Sequence, residues 1–411
     1  MKILCCADIH MGRIPSVPYV GGLTSHASWD AIVEKALEIR ADVLVLAGDV
    51  VDQEENWFEA YGPLVSGLEK LGKAGIQVIG VGGNHDYSVF PSLAKESPYI
   101  RILGLGETWQ HYDYMGVRFV GWSFAARSSR QNPFASFDAS LTDSDLPLLG
   151  LLHCDFGGAQ GSAYAPVSAH DLTRSSIPWW VLGHIHKGGI QKGGNGFYCG
   201  SPYALDSNED GPHGIWLLER EEMGPWKEPI LLQLCPYRFA SLPVSLEGAK
   251  DGEDVRRILS QTLREHAKLL SFAGTLLCSL TLEGRVDRTL DVGKALSEED
   301  LTVFSLTEGE TVVHTLASYT DATELDVDLE ELAKGGGAKA LLAQKLLDEG
   351  ELEKMVEAYK KLEKESYTAS AFSLLHSSHT PKSDAEYLFL VRQAAKKLLF
   401  SMIATEQGGQ G

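Results

Sequence analysis

The stretch Ile76-Gln77-Val78-Ile79-Gly80-Val81-Gly82-Gly83-Asn84-His85-Asp86 closes a short apolar run with two glycines, then an amide, an imidazole and a carboxylate. A run this short and rich in β-branched residues predicts a strand buried on both faces, with the polar triplet at its carboxyl end. Four other apolar runs end alike. Ile3 to Ala7 leads into Asp8 and His10, Val43 to Ala47 into Gly48-Asp49, Leu148 to Leu152 into His153, and Trp179 to Leu182 into Gly183-His184-Ile185-His186. Ligands of open α/β sheets gather at the carboxyl ends of strands, so five such endings predict one shared site.

Outward from that stretch, Trp29 to Arg40 carries Ile32, Val33, Ala36, Leu37 and Ile39 at helical spacing, and a second helix is expected over about Trp57 to Ala74. Strand, helix, strand, helix, strand in succession predicts an α/β fold with a helix-covered sheet. Beyond Asp86 strands outnumber helices, at Val117 to Trp122, Leu148 to His153, Trp179 to Gly183, Gly196 to Gly200 and Ile215 to Leu218. A second sheet layered on the first is therefore expected, giving a two-layered β-sandwich core flanked by helices over residues 1–235. From about Pro236 the texture changes. Strands at Arg238 to Leu246, Gly274 to Glu283 and Glu310 to Ser318 and a helix at Glu253 to Leu270 predict a small α+β domain over 236–334, expected to cap the first domain or bind DNA. After the Gly335-Gly336-Gly337 break, helices are expected at about Ala338 to Leu347, Glu351 to Glu365 and Asp384 to Ala404, a C-terminal helical region of 338–405 followed by a disordered tail, 406–411.

Composition narrows the function. With 36 Lys plus Arg against 56 Asp plus Glu, the formal net charge of -20 gives no general footprint for nucleic acid or an anionic membrane, so any DNA contact has to be local or shared with a partner. The six cysteines are scattered, with no C-x-x-C pair. A reducing cytoplasm is the expected location, because Asp8 and His10 interrupt the only candidate leader and no membrane span is evident.

Residues two apart in extended structure share a side, so Asp8-x-His10 and His184-x-His186 each present two donors to one face. Each motif alone has an ordinary reading, a solvated loop for the first and a helix cap for Gly48-Asp49-x-x-Asp52; five together do not. Asp8, His10, Asp49, Asn84, His153, His184 and His186 make seven donors, too many for one tetrahedral zinc and suited to two ions that share a carboxylate, with Asp49 the natural bridge. Mixed nitrogen and oxygen donors without thiolate favour manganese, with iron or zinc open. Two ions about 3.5–4 Å apart clamp a phosphate and activate a water, which is phosphoester hydrolysis.

The ordered set Asp8-x-His10, Gly48-Asp49-x-x-Asp52, Gly83-Asn84-His85-Asp86, His153 and Gly183-His184-x-His186 resembles the calcineurin-like metallophosphoesterases. Within them, Asp8-Ile9-His10-Met11-Gly12 and the segment from Gly200-Ser201-Pro202 to Gly211-Pro212-His213-Gly214 resemble the SbcD-type DNA repair exonucleases, and Tyr164-Ala165-Pro166 with Asp171-Leu172 is similar to their YhaO-like branch. The resemblance implies one ion on Asp8, His10, Asp49 and His186 and another on Asp49, Asn84, His153 and His184. It implies that His85 stabilises the scissile phosphate or protonates the leaving oxygen, with Asp86 orienting it. Where some relatives have a second catalytic histidine, this chain has Asp52. The resemblance further implies a homodimer paired through segments such as Ser88 to Leu93 and the helix from Trp57, with Trp57 and Phe58 as candidate interface aromatics. It implies an SbcC-like coiled-coil ATPase docked on the C-terminal helices. The expected function is a two-metal exonuclease or endonuclease subunit in DNA repair. A small-nucleotide phosphodiesterase or phosphatase, and a non-catalytic scaffold for the ATPase, are the alternatives. Arg127 and Arg130 in a Ser-rich loop are candidate phosphate contacts.

Overall fold

The computed structural model describes residues 1–53, 56–158, 162–222, 224–287, 290–368 and 382–408. The chain divides into two compact units, one of Met1–Ala240 with Gly274–Leu276, the other of Ser241–Ala273 with Leu277–Gly411.

In chain order the first unit runs β1 (Lys2–Cys6), α1 (Ala27–Ile39), β2 (Val43–Ala47), α2 (Trp57–Lys73), β3 (Gln77–Val81), α3 (Val89–Glu96), β4 (Ile100–Ile102), β5 (Trp109–Tyr114), β6 (Val117–Trp122), β7 (Leu148–His153), β8 (Asp155–Phe156), β9 (Pro166–Val167), α4 (Ala169–Arg174), β10 (Trp180–Gly183), β11 (Gly189–Ile190), β12 (Gly196–Tyr198), β13 (Gly214–Glu219) and β14 (Ile230–Gln233). Two six-stranded sheets result, ordered β14-β13-β1-β2-β3-β4 and β11-β12-β10-β7-β6-β5. In the first, β1, β2, β3 and β4 pair in parallel, with Ile3 beside Val43 and Leu44 beside Val78. In the second, β6, β7, β10 and β12 are parallel, with Gly183 beside His153.

Period-two alternation explains the layering. Ile3, Cys5, Ala7, Val43, Val45, Ala47, Ile79 and Val81 point between the sheets, where they meet Phe119, Leu149, Leu151, Val181 and Phe197. Their neighbours Leu4, Cys6, Leu44, Leu46 and Val78 point the other way, onto Trp29, Ile32, Val33 and Ala36 of α1 and Leu64, Leu68 and Leu71 of α2. Full burial of each such aliphatic side chain contributes about 1.5–3 kcal/mol before entropy is counted. The outer face of the second sheet is covered by loop aromatics, with Phe134 and Phe137 packed on Trp109 and Trp180. That is why strands outnumber helices there. All six cysteines are free and buried.

The second unit holds a four-stranded sheet of Tyr237–Ser245, Gly274–Glu283, Thr311–Asp321 and Ser305–Glu308, the first two strands beginning in the first unit. The helix Gly252–Leu270 buries Val255, Leu259, Leu263 and Ala267 at helical spacing. Ser305–Glu308 and the short helices Val292–Ala295 and Glu298–Val303 escape a periodicity reading, because four to six residues do not display a period. Among the described residues four helices follow, Leu329–Ala333, Gly337–Leu347, Glu349–Thr368 and Asp384–Gly408. The last buries Tyr387, Val391, Ala395 and Leu399, every fourth residue, while Leu398 is exposed. It runs through 406–408 of the expected disordered tail, and 409–411 lie outside the described residues. Among the described residues, no helix is long and apolar enough to cross a membrane.

Candidate metal centre

The carboxyl ends of β1, β2 and β3 in one sheet and of β7 and β10 in the other deliver their polar residues to one place. The amide of His184 donates to Asp8 Oδ1 at 3.0 Å, tying the two sheets together at the site. His153 Nε2 lies 3.2 Å from Asp49 Oδ2 and 3.0 Å from Asn84 Oδ1. His10 Nε2 lies 3.1 Å from His186 Nε2. Donor atoms of Asp8, His10 and His186 all fall within 4.8 Å of one another, as do those of Asp8, Asp49 and His153, and those of His10, Asp52 and His85. His184 stands with its ring 5.3 Å from that of His153. All seven sequence-predicted ligands are thus brought to one centre.

Reaching it distorts the backbone. Asp8, His10, Asp49 and His184 all have positive φ, at 52°, 49°, 50° and 104°. Such conformations cost on the order of 1–3 kcal/mol each and persist where the surroundings over-determine them. Two glycines clear the space. A Cβ on Gly83 would lie 2.1 Å from Asp49 Oδ1, and one on Gly48, itself at φ 90°, would lie 2.6 Å from His153 Nδ1. Gly83→Ala is therefore expected to displace the Asp49 carboxylate and cost the protein at least one bound ion. Elemental analysis of the purified variant checks this, and retention of both ions would show that the loop gives way instead.

The electrostatics suit cations. Asp8, Asp49, His10, Asn84 and His153 are all nearly or fully buried, and buried charge is stable only when paired. Burial raises the Asp8 carboxyl above its ordinary value, against the pull of His153 and His186. Burial also opposes ionisation of Asp49, yet the charge and hydrogen bond of His153 outweigh it and hold that carboxyl well below the usual range. In return, Asp49 lifts His153 to about 9 in spite of burial. His184, desolvated and facing the His153 charge, falls to about 4 and stays neutral, the form that ligates metal.

The hydrogen bonds behind the histidines fix which nitrogen is free. His10 Nδ1 donates to Asp52 Oδ1 at 2.9 Å and His186 Nδ1 donates to Glu209 Oε1 at 2.7 Å, since a carboxylate only accepts. In the neutral rings the two Nε2 lone pairs then face each other at 3.1 Å, a repulsive arrangement that a shared cation relieves. His153 Nδ1 likewise donates to the Ala47 carbonyl at 3.0 Å, leaving Nε2 for the centre. The donor set fits divalent ions of the manganese, iron and zinc kind.

His85 is placed by Asp49 and Asp52. Its amide donates to Asp49 Oδ1 at 2.9 Å, and its Nδ1 to the Asp52 carbonyl at 2.7 Å. Its ring stands edge-on to His10, with centroids 5.0 Å apart. Asp86, expected to orient His85, is engaged elsewhere: its two oxygens accept from Gly83 N and Val50 N, both at 2.7 Å, and it is fully buried. It clamps the β2 and β3 loops together, and the orienting group is the Asp52 carbonyl. Arg127 and Arg130 are exposed, as is Phe58, while the Trp57 side chain lies outside the described residues. Sequence reading missed Glu209, and saw Asp52 only as a missing histidine and not as the partner of His10.

Residues 1–188 match the calcineurin-like phosphoesterase family. The first unit has the metallophosphoesterase fold, and the family match and the geometry together give a dimetal site with aspartate and histidine ligands. They support a metal-dependent hydrolase acting on phosphoester bonds. Among curated proteins, the chain is 29% identical over 205 residues to an uncharacterised metallophosphoesterase of Bacillus subtilis, YhaO, covering 47% of this chain and 49% of that one. It is 23% identical over 299 residues to the DNA double-strand break repair protein Mre11 of Methanopyrus kandleri, covering 62% of each. It is 26% identical over 197 residues to Mre11 of Methanocaldococcus jannaschii, covering 44% of this chain and 51% of that one. The matched regions thus span less than two thirds of these relatives' own lengths. Among solved structures, a dimetal phosphatase from Danio rerio is similar with TM-score 0.35 and 14% identity, covering 57% of this chain and 99% of that chain.

Proposed function

We propose that this chain is a two-metal phosphodiesterase that cleaves DNA as the nuclease subunit of a repair complex. The observation that carries the reading is the gathering of Asp8, His10, Asp49, Asn84, His153, His184 and His186 from five strand ends of two sheets, with Nε2 of His10 and His186 turned on each other at 3.1 Å. The Mre11 proteins among the relatives direct it toward DNA. Asp8, His10, Asp49 and His186 hold one divalent ion and Asp49, Asn84, His153 and His184 the other, with manganese the preferred metal. Bound there, the ions supply Lewis acidity and neutralise charge that builds on the phosphate. His85, its Nδ1 committed to the Asp52 carbonyl, offers Nε2 to the phosphate or the leaving oxygen. The net charge of -20 leaves phosphate neutralisation to Arg127 and Arg130, to a second copy, or to a coiled-coil ATPase of the SbcC kind docked on the C-terminal helices.

The test is an assay of the purified chain with manganese on labelled single- and double-stranded DNA beside a chromogenic phosphodiester. Shortening or nicking of DNA that chelator abolishes is the expected result. Turnover of the small ester with intact DNA, alone and with the ATPase added, would assign a small-nucleotide phosphodiesterase instead. Inertness toward every substrate would leave the scaffold.

A further inference from the structure

The segment from Gly200-Ser201-Pro202 to His213 contributes no ligand to the centre, yet it is built against it. Glu209 lies in it, its side chain only 11% exposed. Its carboxylate is held by three hydrogen bonds: Oε1 accepts from His186 Nδ1 at 2.7 Å, and Oε2 accepts from Ser201 Oγ at 2.7 Å and from Leu205 N at 3.0 Å. Ser201 is itself anchored, its amide donating to the His186 carbonyl at 3.0 Å and its own carbonyl accepting from His213 Nδ1 at 2.8 Å. A carboxylate fixed on three sides has one consequence at the centre, which is to hold the His186 ring in a single tautomer and orientation.

Asp52 does the same for His10, at 2.9 Å and with its side chain 12% exposed. The other pair of imidazoles is treated differently. His153 is backed by the neutral carbonyl of Ala47. Among the described residues, no carboxylate lies within ion-pair distance of the His184 ring, which packs against Tyr164 with centroids 4.7 Å apart. The centre is therefore lopsided. Behind His10 and His186 a carboxylate, Asp52 or Glu209, hydrogen-bonds the ring directly, whereas the position at Asn84, His153 and His184 has an uncharged amide in its donor set and feels Asp86 and Asp155 only through their charge.

We propose that the two metal positions are unequal, that the ion at Asp8, His10 and His186 is the more tightly held, and that Glu209 and Asp52 are the positioning residues that make it so. A carboxylate behind a ligating imidazole raises its basicity and pre-orients it, and losing such a group typically costs about 10–100-fold in metal affinity. The inference rests on the two-metal reading above.

The experiment is a manganese titration of the full chain after chelator treatment, with free Mn(II) followed by electron paramagnetic resonance. The wild type should bind two ions in two resolved steps. Glu209→Gln, close in shape but uncharged, should weaken the tighter step by about 10–100-fold and leave the weaker step in place. Asp52→Asn, on a different loop, should weaken the same step, which guards against a folding defect in either variant, as do melting curves recorded in chelator. Two equal steps in the wild type would overturn the inequality, and a Glu209→Gln variant in which both steps move together or neither moves would overturn the role given to Glu209, either result leaving the two-metal centre standing. A wild type that takes up one ion or none would overturn the two-metal reading itself.

Discussion

Asp49→Ala is expected to abolish manganese binding at both positions and, with it, all measurable phosphodiester hydrolysis. Asp49 is 2% exposed, its Oδ2 lies 3.2 Å from His153 Nε2 and its Oδ1 accepts the His85 amide at 2.9 Å. The carboxylate thus lies on the side of one cluster and close to the donors of the other, the place of a bridge between two ions. Alanine removes negative charge from both positions at once and frees the loop that carries His85. Asp49→Asn separates the two effects, since its amide oxygen can still accept the His85 N–H while the charge is gone. Both variants should bind close to no metal by elemental analysis. A variant retaining one ion per chain would show that Asp49 serves a single position.

The strands were legible because burial on both faces turns each into a short continuous apolar run: Ile3, Cys5 and Ala7 face one layer and Leu4 and Cys6 the other. The residues that meet at the centre were legible because each lies at or just beyond the end of such a strand, so one-dimensional spacing carries three-dimensional position. Glu209 was not. It sits in Asp206-Ser207-Asn208-Glu209-Asp210, which reads as an ordinary solvated turn, and it reaches His186 only because Ser201 and Leu205 fold the loop back. The resemblance of the Gly200-Ser201-Pro202 segment was the one signal pointing there. Asp86 misled for the opposite reason. Adjacency to His85 suggested partnership, but neighbouring side chains after a strand diverge, and Asp86 turned inward to backbone amides of Gly83 and Val50. The positive φ at Asp8, His10, Asp49 and His184 was not legible, since Asp and His tolerate that region without requiring it and tertiary contacts impose it here.

His85→Ala is expected to leave two ions in place and to lower turnover by about 10²–10⁴-fold, the span lost with a positioned proton donor. His85 Nδ1 is occupied by the Asp52 carbonyl at 2.7 Å, and its ring stands 5.0 Å from that of His10, so Nε2 is the nitrogen left to meet a phosphate. A structural role alone would make a different prediction. If His85 only filled the turn, alanine would lower stability in chelator and leave the chemistry of the surviving fraction unchanged. The leaving group separates the cases: a nitrophenolate departs without a proton, whereas a deoxyribose hydroxyl has to receive one. The loss in His85→Ala should therefore be larger on DNA than on the chromogenic ester if His85 protonates the leaving oxygen, and similar on both if it stabilises phosphate charge. Unchanged turnover on both substrates at saturating manganese would remove His85 from the reaction, and loss of an ion would make it a ligand through the His10, Asp52 and His85 cluster.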